Sequence, residues 1–427
     1  MTTQPVPLRT PAETALADAY VKASAALPGS DAVRGERARA YDRFHEKGLP
    51  HRRIEAWHYT DLRALMREAY PVAVGTPLAP ASGLRILISD GAASMPTGAL
   101  PKGIKVSTLR DCLTNGTEAF IKSLFPDQGS DDAMVAFNAA MMRDGVVIDI
   151  AEGAEIASPI EIIFTSQDQA PHGDVSRVLL RMGARAKATV HEVHSAKGKV
   201  QRHSALVAHV GEEAELSHVF ETRDAQPEVH VSSLIVDVAA RGSFQSFAFV
   251  CAGDVLRRQL FVRGSGEYAK IAMRGVSLLK GKQHADTTLV VDHAVPNGES
   301  RELFKHIVDD EASGVFQGKV IVRQHAQKTD GGMKSQALLL SGDAAMYNKP
   351  ELEIFADDVV CGHGATVGQL DENQLFYLMA RGIPRVEAEA LMIEGFAREA
   401  LEFIVQDEIR EHLEASVAHW LAGRAKS

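Results

Sequence analysis

Residues 183–191, Gly-Ala-Arg-Ala-Lys-Ala-Thr-Val-His, and 211–219, Gly-Glu-Glu-Ala-Glu-Leu-Ser-His-Val, read as degenerate copies of one unit. Each opens on glycine, passes through charged residues and enters a stretch where apolar and polar side chains alternate. Further copies begin at Arg241-Gly-Ser-Phe-Gln-Ser-Phe, Gly266-Glu-Tyr-Ala-Lys-Ile-Ala-Met and Ser313-Gly-Val-Phe-Gln-Gly-Lys. Alternation with period two is the signature of a strand. The starts recur at roughly 24–31 residues, with one gap about twice as long, which is the spacing of a solenoid. The spacing predicts a parallel β-helix, in which each coil buries its inward side chains against the coils on either side. An antiparallel sandwich or barrel also has evenly spaced turns and stays open on pattern alone.

Working outward, this pattern fills residues 146–368, the expected β-helix core. Residues 1–69 carry helical signals broken at Gly48-Leu49-Pro50, and 70–145 read as a linker and mixed α/β segment, rich at first in Pro, Gly and Ala. Residues 369–427 are helical again. Asp371 with Gln374 three residues on resembles a capping box, Gly382 suits a C-terminal cap, and Pro384 suits the first turn of the next helix. That helix, about Pro384 to Val405, is apolar nearly all round, so it either packs under neighbours or docks a partner.

The chain has 427 residues, 45% of them hydrophobic, enough for a large core. A net charge of -10 argues against nucleic acid or an anionic membrane as the main partner. The three cysteines, Cys112, Cys251 and Cys361, are far apart and lack CxxC spacing, which fits a reducing compartment. The start, Met1-Thr-Thr-Gln-Pro-Val-Pro, has no leader pattern, and no stretch reaches the ~18 apolar residues of a membrane span. A cytoplasmic location is expected.

Motifs for independent chemistry fail on context. Gly264-Ser-Gly266-Glu-Tyr-Ala269 matches a relaxed dinucleotide fingerprint, yet residues 270–276 alternate like a strand where a helix must begin. Lys328-Thr-Asp-Gly-Gly-Met-Lys-Ser335 lacks the spacing of a phosphate loop. His191 and His194 are three apart, which in a strand places them on opposite faces. Cys361-Gly362-His363 is different: residues two apart share a face, so a sulfur and an imidazole nitrogen stand side by side, both competent iron ligands. Two ligands do not hold a cluster, so a site here is shared with another chain or transient, or else the pair is structural.

Three stretches carry a resemblance: Gln327-Lys-Thr-Asp-Gly-Gly-Met-Lys-Ser-Gln-Ala-Leu-Leu-Leu-Ser341, Lys349-Pro-Glu-Leu-Glu-Ile-Phe-Ala-Asp-Asp-Val-Val-Cys-Gly-His-Gly-Ala-Thr-Val-Gly368, and Leu375-Phe-Tyr-Leu-Met-Ala-Arg-Gly-Ile383. Together they resemble the C-terminal signature of the SufB/SufD family of the SUF iron-sulfur cluster assembly system. Arg53-Ile-Glu-Ala-Trp-His-Tyr-Thr60 is similar to the SufD-type pattern, with His58 where lysine is more usual. The resemblance implies a right-handed parallel β-helix flanked by helical N-terminal and C-terminal regions. It implies a non-catalytic scaffold subunit that pairs with SufB, docks the ATPase SufC, which hydrolyses the ATP, and supports iron acquisition and nascent Fe-S cluster formation. No cofactor is expected to stay bound to the isolated chain, which is expected to form a homodimer; in the complex it would meet a transient Fe-S cluster or iron. His363 and Cys361 match the family positions for ligands shared with SufB. Leu375, Phe376, Ile383, Leu391, Phe396, Leu401 and Phe403 lie on the helices that in this family meet SufC. The rival reading is a secreted-type carbohydrate-active β-helix enzyme.

Overall fold

Alternating side chains between glycine-rich corners leave each coil of this chain with one apolar face and few alternatives to stacking. In the computed structural model, which describes residues 9–167, 170–223 and 228–424, the chain winds as a β-helix of about eight turns. The first eight residues of the helical N-terminal region lie outside the described residues, as do 425–427 of the C-terminal region. Each turn gives one strand to a ten-stranded sheet and one to a nine-stranded sheet, counted among the described residues. From Asp144 to Gly368 the ladders are parallel; among the described residues only Arg85–Ser89 with Ala92–Ser94, and Ile104–Thr108 with Asp144–Ile150, pair antiparallel. The parallel β-helix is therefore the fold, and the sandwich alternative is excluded. The strand Arg85–Ser89 pairs in parallel with Ile160–Thr165, so the 70–145 segment supplies sheet as well as connection.

The corner explains the repeat. Arg185, Glu213, Arg241, Tyr268, Asn297 and Lys328 all adopt φ between 54° and 63°. For a residue with a Cβ that conformation costs ~1–2 kcal/mol. Here it turns the amide toward the next coil: Arg185 N–H donates to Glu212 O at 2.7 Å, Arg241 to Glu267 O at 2.8 Å and Asn297 to Gln327 O at 2.9 Å. Those bonds offset the strain and fix the coil spacing. Gly266 has a different reason: a Cβ there would lie 1.9 Å from the backbone nitrogen of Ala240 in the neighbouring corner. The Ser313 copy is out of phase with the others. It begins a strand of the nine-stranded sheet, and the corner it seemed to represent is at Asn297.

Between the sheets, Phe164, Phe244, Ile271, Phe304, Phe316 and Met333 belong to one continuous core. Polar groups are threaded through it. Asp174 and Arg202 are fully buried with Nε 2.8 Å from Oδ2, and Arg202 also donates to the carbonyls of Ser195 and Thr165. Glu192 lies 2.6 Å from His194 Nε2 and 2.9 Å from His218 Nε2. Burial by itself would raise the Glu192 carboxyl, but those two imidazoles hold it below the usual carboxylate range. His191 and His194 point to opposite faces, as their spacing predicts: His194 stacks on Phe164 in the core, whereas His191 faces outward to Glu221, which also meets His412 near the C-terminus.

Helices cover both outer faces. On the nine-stranded sheet lie α1 (Pro11–Ala23), α2 (Asp31–Lys47), the short α3 (Leu62–Leu65), α4 (Leu109–Asn115), α5 (Glu118–Leu124) and α6 (Ala133–Met141). The N-terminus of α1 is fixed by a capping box between Thr10 and Glu13. The C-terminal arm is α7 (Glu372–Met379), α8 (Arg385–Leu401) and α9 (Asp407–Arg424). Ile393, Ala397, Leu413, Val417 and Trp420 of α8 and α9 pack on Phe247, Phe249, Val276 and Leu278, the outer face of the ten-stranded sheet. None of the described helices is long and apolar enough to cross a membrane.

Candidate functional site

The solenoid ends in an uncovered coil. Its last two strands, Ala345–Ile354 and Val360–Gly368, are the terminal members of the nine-stranded and ten-stranded sheets. Each has a hydrogen-bonded neighbour on one side only, so a row of backbone donors and acceptors faces outward along both sheets. Side chains that an additional coil would cover are exposed: Val360 is 73% accessible and Phe355 58%, with Ile354 and Val367 beside them.

Cys361 and His363 sit on this last strand. The register places Cys361 above Gly331 and His363 above Met333, and alternation directs both toward the side of the inner core. Cys361 is half-buried against that core. Gly331 beneath it has no side chain, and a Cβ there would stand 3.4 Å from Cys361 Sγ and 3.6 Å from Ser300 Oγ. Burial pushes the Cys361 thiol up, with Asp330 and Glu302 adding to the effect. His363 is exposed. The two donors therefore share a face at the open end, as the spacing requires, but differ in access. Among the described residues no three His, Cys, Asp or Glu side chains converge on a metal-sized site. A soft sulfur and an imidazole are donor types that suit iron or an Fe-S centre.

Beneath His363 the row continues through Met333 to Glu302 and Met273. Glu302 is 2% exposed, and neither carboxylate oxygen has a hydrogen-bond partner among the described residues. Burial pushes its carboxyl up to about 8, and the pull of Ser300, Arg301 and Arg274 is too weak to reverse it. The folded chain thus holds a neutral acid that the unfolded chain ionises near 4.5. Its stabilising contribution is complete below that value and is lost as pH rises through about 8. Glu302→Gln is expected to flatten this dependence, gaining on the parent by up to ~1.4 kcal/mol per pH unit between roughly pH 5 and 8. Denaturant midpoints at successive pH values check it; parallel profiles for the two proteins would show the acid to be ionised.

Beside the last strand, an open groove of about 600 Å³ runs between Lys334, His363 and the end of α8, where Glu399 and Phe403 stand. Arg274 lies 3.6 Å from the centroid of the Phe403 ring. Lys305, only 1% exposed, pairs with Glu399 and sits 4.1 Å from the Phe396 ring. The C-terminal arm is thereby pinned to strands of the sheet that ends at His363.

The seven apolar residues expected to face a partner divide in two. Leu375 and Leu401 are 1% exposed and belong to the packing of the arm itself, and half-buried Phe396 is held under Lys305. Leu375 and Leu401 thus pack inside the fold of the isolated chain. Phe376 is 73% exposed, Leu391 50% and Phe403 47%, with Ile383 intermediate. Helix α8 ends at Leu401 instead of Val405, and its buried face is Ala388, Ile393, Ala397, Ala400 and Leu401. Tyr377, Met379, Val386 and Val405 are exposed and extend the apolar surface beyond the residues that the sequence pattern marked. Asp371 caps α7 by accepting from the amides of Asn373 and Gln374.

Comparison with known proteins agrees with this geometry. The description "SUF system FeS cluster assembly, SufBD core domain" matches residues 163–396, and "SufBD protein N-terminal region" matches residues 12–82. Over 394 residues the chain is 29% identical to the iron-sulfur cluster assembly protein SufD of Escherichia coli, covering 89% of this chain and 91% of that protein. It is 28% identical to an iron-sulfur cluster assembly SufBD family protein of Synechocystis, covering 86% and 87%. A chloroplastic protein of Arabidopsis thaliana, ABCI7, is 29% identical over 85% of this chain and 80% of its own length.

Proposed function

The chain belongs to the SufBD family of SUF iron-sulfur cluster assembly proteins, whose core description matches more than half of it, and from that premise we propose that it is a SufD-type scaffold subunit pairing through its open coil with SufB and docking SufC on its C-terminal arm. The observation that carries this reading is the pairing of an unsatisfied sheet end with two iron-competent donors, Cys361 and His363, on the same terminal strand. A partner β-helix laid against that end would satisfy the free backbone groups and complete the donor set. The nascent Fe-S cluster is the cargo of this junction and is not a resident cofactor. In isolation the same edge is available to a second copy of the chain, giving a homodimer.

The exposed Phe376, Leu391 and Phe403 surface suits an ATPase partner, because apolar patches of this kind mark association surfaces. Lys305–Glu399 and Arg274–Phe403 then supply the coupling. A displacement of α8 driven by ATP hydrolysis in SufC would pull on the strands Glu299–Val308 and Lys270–Leu279, which lead by two and three ladder steps to the strand of His363. Opening the junction in this way would expose His363 to iron and sulfide in the cytoplasm. Co-expression with SufB and SufC tests the assignment. Recovery of one complex containing all three supports it; a chain that recovers neither partner, or that turns over glycans alone, overturns it.

A further inference from the structure

The segment Glu55–Thr60 was legible only as a motif, and its placement gives it a role. Trp57 is 1% exposed, and its Nε1 donates to Asp132 at 2.9 Å. The Arg257 guanidinium lies 4.2 Å from the Trp57 ring and donates to the carbonyl of Ala56. Thr60 Oγ1 bonds to Asp286 and lies 2.9 Å from His284 Nε2. Gln317 Nε2 donates to the same Ala56 carbonyl at 3.1 Å. Tyr59 stacks on Tyr347 with ring centroids 5.1 Å apart and planes 22° apart, and Lys349 Nζ lies 2.8 Å from Glu55 Oε1.

These contacts fall on four consecutive strands of the nine-stranded sheet, Val255–Gly264, His284–His293, Ser313–Val322 and Ala345–Ile354. The six residues thus lie across the outer face of the sheet, with Glu55 and Tyr59 on its terminal strand and Thr60 on the strand His284–His293. Buried Trp57 and Thr60 anchor the segment, whereas Glu55 and Tyr59 rest on side chains of the unpaired edge. Tyr347 remains 44% exposed there, half-covered by Tyr59.

We propose that Glu55–Thr60 is a strap that positions the open edge for pairing, with Tyr59 and Glu55 holding Tyr347 and Lys349 so that the terminal strand presents one fixed backbone register to a second parallel β-helix. This rests on the reading that the open end pairs with another β-helical chain. An edge strand flanked on one side only is otherwise free to fray or slip, and a slip of one residue would turn its side chains to the wrong face. The ring stack carries most of the effect, since an exposed ion pair such as Glu55–Lys349 contributes little by itself.

The test uses the full chain co-expressed with SufB. Tyr59→Ala is expected to weaken the pairing by about 3–10-fold, the value of an aromatic stack, while Tyr59→Phe keeps it. Tyr347→Ala probes the same contact from the edge, in case Tyr59→Ala disturbs folding. Glu55→Lys is expected to weaken pairing slightly and Lys349→Glu in the same chain to restore it, a rescue that general destabilisation would not produce. Val360→Lys, on the last strand of the other sheet, serves as the reference. If Val360→Lys abolishes pairing while Tyr59→Ala and Tyr347→Ala leave it unchanged, the strap is wrong and the open-end reading stands. If all three leave pairing unchanged, the open-end reading itself falls.

Discussion

Asp174→Ala is expected to lower the unfolding free energy by about 3–5 kcal/mol, among the largest losses available to a single substitution in this chain. Arg202 is 0% exposed and loses its hydrogen-bonded carboxylate, leaving a guanidinium in the core with two backbone carbonyls for company. Burial raises the Asp174 carboxyl despite the pull of Arg202. Replacing both at once, as Asp174→Leu with Arg202→Met, is expected to recover most of the loss. Urea midpoints for the two single variants and the double check this. A loss under about 1 kcal/mol for Asp174→Ala would mean that water reaches Arg202.

The second large effect concerns association. Phe376→Asp with Leu391→Asp is expected to leave the thermal midpoint nearly unchanged, since both side chains are at least half exposed. The same pair of changes should cut recovery of SufC by more than about tenfold, because truncating or charging central apolar contacts commonly costs about 2 kcal/mol or more. Recovery of SufB through the open coil should persist. Loss of both partners together would place Phe376 and Leu391 in folding, and loss of neither would remove α7 and α8 from the ATPase surface. Leu401→Asp gives the contrast: it is buried in the arm and should destabilise the chain before it affects any partner.

The coils were legible because their corners repeat a physical requirement. A residue with positive φ recurs at Arg185, Glu213, Arg241 and Tyr268, each beside a glycine or a charged pair that marks the turn. Asn297-Gly298 marks its corner in the same form as Arg241-Gly242, whereas Ser313-Gly314 follows the left-handed Asp310 and opens a strand of the other sheet. Long-range polar pairs were invisible: Glu192 meets His218 and Asp174 meets Arg202 only because segments 26 and 28 residues apart stack in neighbouring coils. At the site, the shared face of Cys361 and His363 followed from a spacing of two. Their unequal exposure did not, because it depends on Gly331 and on the solenoid ending at this strand. The helix after Pro384 was apolar on every side, so the sequence could not say that Leu401 turns inward and Leu391 outward. That choice is made by the sheet face on which α8 lies.

In the proposed function, His363 at the open end of the β-helix contributes a ligand to a nascent Fe-S cluster. This role is tested most directly by purifying, without oxygen, the complex with SufB and SufC carrying either native His363 or His363→Ala, and measuring iron and acid-labile sulfide in each. Matched iron and sulfide are expected in the parent complex and their loss in the variant, with all three subunits still recovered. Equal iron and sulfide in both complexes would contradict it.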